Sequence, residues 1–172
     1  DGLNWSIGET LNASIGQGYI LTTPLQLVTM VWRIANGKFS VRPSLTISAE
    51  SNKFKLLNIN IEHLNFIKKA MEKVVIGKKG TARNYKIGSK NIEMAGKTGT
   101  VQVVRITEVE REQGLIKNED RPWEKRDHAL FVGYAPTINP KYAISVVVEH
   151  GGSGSSVAAP IARDVFKHLF KL

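Results

Sequence analysis

Apolar residues cover nearly every side of the stretch from Leu25 to Ile34: Leu25, Val28 and Trp32 mark one face, and Leu27, Met30, Val31 and Ile34 the rest. So wide an apolar surface predicts a buried helix, and the segment is too short to span a bilayer. Its start is signalled by Thr23-Pro24-Leu25-Gln26, a threonine cap with proline at the first helical position and glutamine three residues on from the cap. The helix is expected to reach about Asn36, where Gly37 stops it. Helical spacing returns in Ile61, Leu64, Ile67, Met71 and Val74, predicting a second helix over about Ile61 to Val75, with Asn60 as cap and Gly77 past the end. That register turns Lys68, Lys69 and Lys73 toward water.

After the polar Lys78-Lys79-Gly80-Thr81-Ala82 the pattern becomes that of strands. Three are expected: one within Glu93 to Val104, one from His128 to Tyr134, and one from Tyr142 to Glu149, the last two separated by Ala135-Pro136 and the turn-like Thr137-Ile138-Asn139-Pro140. The third is nearly continuous apolar, which predicts cover on both faces. Gly151-Gly152-Ser153-Gly154 then leads into a last helix over about Ser156 to Phe170, whose first turn tolerates Pro160. Asp1 to Gly18 reads as mostly loop with short helical turns, and Val41 to Leu57 as a connection with room for one short strand. Arg105 to Asp127 alternates acids and bases without an apolar stripe, as an excursion at a cleft rim would. Strands in hairpin order with helices before and after predict an α+β fold, an antiparallel sheet flanked by helices.

At 172 residues and 42% hydrophobic, the chain can bury a core and has the size of one domain. The net charge of +9, concentrated between Lys68 and Lys97, favours anionic partners. No nucleic-acid motif accompanies it, so no nucleic acid is expected. Without cysteine there is neither disulfide nor thiol chemistry, and either redox compartment fits. No run of about 18 apolar residues occurs and the first residues are not a signal peptide, so any membrane anchor is expected outside this chain. His63, His128, His150 and His168 lack metal-ligand spacing, and neither metal nor other cofactor is expected. Trp5, Trp32 and Trp123 read as core or rim residues, and Glu149 as a candidate buried, paired carboxylate.

The candidate chemistry lies in Glu93-Met94-Ala95-Gly96-Lys97-Thr98-Gly99-Thr100-Val101-Gln102-Val103-Val104. One lysine sits among glycines and threonines, and a β-branched run follows at once. Glycine weakens a strand but permits the close approach of a ligand or another backbone. A phosphate loop would need glycine five residues before Gly96 and a helix straight after, whereas position 91 is Asn and Val101 to Val104 is strand-like. Lys-Thr-Gly on a strand is also an element of active-site serine acyltransferases that handle penicillin. A plain strand with a solvated lysine accounts for the same residues.

Ile15-Gly16-Gln17-Gly18, Thr23-Pro24-Leu25-Gln26, Ile34-Ala35-Asn36-Gly37, Ala95-Gly96-Lys97-Thr98-Gly99-Thr100, Phe131-Val132-Gly133-Tyr134-Ala135-Pro136 and Ala158-Ala159-Pro160 occur in that order. Together they resemble the transpeptidase domain of class B penicillin-binding proteins, over essentially the whole chain. Arg126-Asp127-His128-Ala129 with Val148-Glu149-His150-Gly151-Gly152 resembles the elongation type, penicillin-binding protein 2, more than the septal type. The resemblance implies residues 1–172 as the C-terminal part of a β-lactamase-like transpeptidase fold. It implies acyl transfer in which a serine attacks the D-Ala-D-Ala end of a peptidoglycan stem peptide and an amine on a second stem resolves the acyl-enzyme. β-Lactams trap that stage, and the family works on the periplasmic side of the bacterial inner membrane beside an elongation-complex glycosyltransferase.

By the same resemblance Lys97 supports proton traffic and carboxylate recognition; Thr98, Gly99 and Thr100 bind substrate; and the Thr100 backbone N–H forms half of an oxyanion hole. The family's Ser-x-x-Lys is found at no serine of this sequence. Ser89-Lys90-Asn91 fits Ser-x-Asn only by coincidence, since it falls just before Lys97 and in the wrong order relative to the helices. The chain alone is therefore expected to be inactive and to carry one of three active-site walls. The third strand, which in the family pairs with a strand from the N-terminal part, is expected to be an open edge, and the fragment to self-associate. A penicillin-recognising sensor or β-lactamase-like hydrolase, and a non-catalytic module for an anionic polymer, are the competing functions.

Overall fold

The computed structural model describes residues 4–18, 20–46, 54–89, 91–104, 108, 112, 114 and 116–172. Helix α1 (Ile7–Ser14) opens them, where the sequence reading had mostly loop. The overlooked signal is a capping box: the Ser6 hydroxyl accepts from the Glu9 N–H, and the Glu9 carboxylate accepts from the Ser6 N–H. None of α1 is buried.

Helix α2 (Pro24–Asn36) starts and stops where expected. Thr23 and Gln26 form its capping box, and Gly37 ends it at φ 68°, a left-handed conformation that suits glycine. Only Val31 and Ala35 are buried, and Leu25 and Met30 are exposed, so the predicted burial on all sides is not realised within these residues. Helix α3 (Ile61–Ile76) is capped by Asn60 and buries Leu64, Met71 and Val75. Lys68 does not simply face water, because its Nζ donates to the Ala35 carbonyl at 3.0 Å and ties α3 to the last turn of α2. The expected short strand before α3 is a single bridge, Phe39 to Leu56.

The sheet is antiparallel in the order β1 (Ala95–Val101), β2 (His128–Ala135), β3 (Tyr142–Val148). Thr98 stands opposite Phe131, and Phe131 opposite Val146. Strand β3 is an outer strand of this sheet and half-exposed along most of its length, which corrects the expectation of cover on both faces. Glu149 lies past its end in an exposed turn and is not a buried carboxylate. A π turn (Gly154–Ala158) leads into α4 (Ala159–Phe170), so the last helical segment begins two residues before the predicted Ser156.

Two clusters sandwich the sheet. Val31 and Ala35 of α2 pack with Met71, Ala95 and Tyr134 on one face. Phe131, Ala129, Met94, Phe166 and Ala162 fill the other, with Val75 and the π turn. Among the described residues, no helix is long and apolar enough to cross a membrane.

Tyr134 is fully buried and its hydroxyl has no hydrogen-bond partner among the described residues. Burial, with a smaller contribution from the Glu72 carboxylate, pushes its pKa up to about 12 from 10.0. The folded state thus holds this proton more tightly than the unfolded chain does. Stability is unaffected below pH 10 and falls as pH rises from there through about 12. Unfolding midpoints measured across that range should decline in the wild type and decline less in Tyr134→Phe.

Candidate active site

Strand β1 is an outer strand of the described sheet, hydrogen-bonded to β2 on one side. Alternation along it puts Ala95, Lys97 and Gly99 on the α2 face and Gly96, Thr98 and Thr100 on the face of Phe131. Gly96 is required there by space, since a Cβ would lie 2.3 Å from Phe131 Cζ and 2.6 Å from the Val132 carbonyl oxygen. Lys97 and Thr100 are exposed and Thr98 half-buried.

Lys97 curls over the strand's outer edge, where its Nζ donates to the Thr98 carbonyl at 2.6 Å. Backbone groups two residues apart in a strand share their direction, so the Thr100 backbone faces the same edge as that carbonyl. Among the described residues no carboxylate pairs with Lys97. This outer strand therefore carries one ammonium from its α2 face, two threonine hydroxyls on the opposite face and an outward backbone between them, a set suited to holding an anion beside a polarised carbonyl.

Thr81 joins the set without having been singled out in the sequence: its hydroxyl lies 2.8 Å from that of Thr98. Seventeen positions separate the pair, and no spacing rule links the turn after α3 to the strand. Of the motifs upstream, Gln17 is brought near the far end of β1, its Nε2 standing 3.5 Å from Gln102 Oε1.

The rim beside β1 is held by Asp127, a residue of the Arg126-Asp127-His128-Ala129 string to which the sequence assigned no structural role. The Asp127 carboxylate accepts from the Val103 N–H at 3.3 Å and from Asn118 Nδ2 at 3.0 Å, and the Asp127 N–H donates to Asn118 Oδ1 at 3.0 Å. Its carbonyl accepts from the Gly152 N–H at 2.8 Å. Beside it the His150 N–H donates to His128 Nδ1 at 2.9 Å, and the His150 ring lies 4.4 Å from that of Trp123. The His128 and His150 rings pack edge to face, their centroids 4.7 Å apart, and among the described residues no group of three or more His, Cys, Asp or Glu is placed to hold a metal ion.

A family model for the penicillin binding protein transpeptidase domain matches residues 2–167. The chain belongs to the penicillin-binding-protein transpeptidase family. Peptidoglycan D,D-transpeptidase MrdA of Salmonella typhimurium is 32% identical over 178 residues, covering 96% of this chain and 28% of the relative. MrdA of Haemophilus influenzae is 36% identical over 176 residues, covering 95% of this chain and 26% of the relative. Among solved structures, Pseudomonas aeruginosa PBP2 in complex with WCK 5153 has a TM-score of 0.74 at 35% identity, over 96% of this chain and 33% of that one. The complex between PBP2 and MreC from Helicobacter pylori has a TM-score of 0.75 at 33% identity, over 98% of this chain and 28% of that one. The chain thus spans under a third of the relatives' length. Its β1 carries the Lys-Thr-Gly stretch by which the sequence resembled this transpeptidase family.

Asp127→Ala deprives Val103 and Asn118 of their acceptor. Water can reach both donors, so each lost hydrogen bond costs about 0.5–1.5 kcal/mol. The variant should be cleaved by trypsin after Lys117, beside the Asn118 that Asp127 holds, faster than the wild type, followed by mass spectrometry. Unchanged cleavage would remove Asp127 from the rim.

Proposed function

We propose that this chain is part of a peptidoglycan D,D-transpeptidase that cross-links stem peptides through an acyl-serine intermediate and is acylated by β-lactams. The observation that carries the reading is β1 itself, one outer strand that bears the Lys97 ammonium, the hydroxyls of Thr98 and Thr100 and the outward Thr100 backbone. Lys97 attracts the carboxylate of a stem peptide or a penicillin and assists proton transfer. Thr98 and Thr100 hold the carboxylate by hydrogen bonds, and Gly99 keeps the strand narrow where substrate lies along it. The Thr100 N–H stabilises the oxyanion, a preorganised donor aimed where charge develops. The nucleophile comes from a Ser-x-x-Lys elsewhere in the parent protein, since this sequence has none.

The parent is proposed to be of the elongation type, working at the periplasmic face of the inner membrane with a glycosyltransferase partner. Relatives named MrdA, and a PBP2 solved with MreC, support that reading. The anchor would lie outside this chain.

In the parent enzyme, Lys97→Ala should slow acylation by a β-lactam on the order of 10²–10³-fold, as loss of one preorganised charge or donor does, with little change in melting temperature. Thr100→Val should slow it less, because the backbone N–H is spared and only the hydroxyl is lost. Stopped-flow acylation measures both, and wild-type rates in the two variants would take these residues out of the site.

The isolated chain should gain no mass on incubation with penicillin, for want of the serine; a stoichiometric adduct in the intact mass would refute the assignment. It should also self-associate, because β3 is an outer strand and Ile7, Leu11, Leu21 and Leu25 leave apolar surface bare. A monomer by light scattering would count against this.

A further inference from the structure

We infer that Thr81 is a positioning residue for the substrate carboxylate, acting by donating a hydrogen bond to the Thr98 hydroxyl so that Thr98 can in turn donate outward. The inference rests on the proposed reading of Thr98 as a carboxylate ligand. A threonine hydroxyl has one proton to give and two lone pairs. Where two hydroxyls meet at 2.8 Å, as Thr81 and Thr98 do, one must donate. If Thr98 donates to Thr81, its only proton is spent inward and it turns lone pairs toward any anion at the edge. If Thr81 donates, Thr98 keeps its proton for the anion, and a chain of hydrogen bonds polarises each member to be a better donor. An anion drawn in by Lys97 selects the second arrangement.

The geometry of the turn suits this role. Ala82, next to Thr81, is fully buried, and its N–H donates to the Val74 carbonyl at 2.9 Å. On the other side the Gly80 N–H donates to the Gly77 carbonyl at 2.9 Å, and a Cβ on Gly80 would lie 2.3 Å from the Val74 carbonyl oxygen. Thr81 is thus pinned from both neighbours against the end of α3. Its own side chain is exposed, so replacing it disturbs no core packing. A hydroxyl held this firmly, yet contributing nothing to burial, is explained by what it bonds.

The test uses the intact parent enzyme with two probes, a penicillin and its neutral methyl ester, and stopped-flow kinetics that separate non-covalent capture from the acylation step. Thr81→Val should weaken capture of the free acid about five- to tenfold, the loss of one hydrogen bond acting on a charged group. It should leave capture of the ester within about twofold, as a contact serving only the carboxylate must. Thr81→Ser should restore wild-type capture, and Thr81→Val combined with Thr98→Val should be no worse than Thr98→Val alone. Melting temperatures should match the wild type in each case. Wild-type capture of the acid by Thr81→Val, with Thr98→Val impaired, would overturn the inference. So would equal losses for acid and ester, which indicate a merely structural role. Should Lys97→Ala and Thr98→Val both capture and acylate like the wild type, the reading of the site itself is overturned, and the inference with it.

Discussion

The described architecture depends on a close approach of backbone to backbone behind β1. Gly154, at the start of the π turn, comes so near the ladder that a Cβ there would lie 2.1 Å from the Gly99 carbonyl oxygen and 2.4 Å from that of Leu130. Such spacing admits only glycine. It lets the segment leading into α4 seat itself directly behind the middle of the Lys97 to Thr100 stretch, where a larger residue would push the strand outward. Gly96 plays the matching part within β1, leaving room for the Phe131 ring that centres the core on that face.

From this packing follows the division of labour across the sheet. Beyond Thr98 and Thr100, which stay polar and accessible, one face packs aromatic and alanine side chains closely enough that Phe131, Phe166 and Met94 are wholly buried. The other holds α2 against Ala95 and Tyr134 and leaves Lys97 in solvent. The Lys97 side chain there stays accessible from solvent, with the Thr98 carbonyl as its neighbour. The rim anchored by Asp127 and Asn118 closes the far end of the strand, so that the polar edge is bounded by fixed groups on both sides.

The two bounding groups reached the strand by different routes. Asp127 sits beside β2 in the chain and is delivered by the hairpin register that sets His128 opposite Val101. Thr81 arrives from the turn after α3, which is anchored by buried Ala82 and by the backbone hydrogen bonds of Gly80 and Ala82. The basic balance of the chain gains no separate role from the fold: Lys68 is taken up in capping α2, and Lys69 and Lys73 are exposed on α3.

Much of this was legible in the sequence, because the signals were local. Caps at Thr23 and Asn60, the stop at Gly37 and the helical spacing of Leu64 and Met71 each depend on neighbours within a turn or two, and these helices formed where they were expected. The order of motifs carried the family, since six short stretches matched jointly. Local signals also account for the miss at α1, whose Ser6 and Glu9 box was on the page but lay in a glycine-rich segment read as loop. Apolar content misled for α2 and β3, because composition tells which surfaces seek cover and not whether these residues supply it. What only the tertiary structure decided was proximity between distant segments: Thr81 against Thr98, Asp127 under Val103, His150 on His128. A hydrogen bond between side chains far apart in the chain leaves no periodicity to read, since its partners are brought together by the packing of other residues.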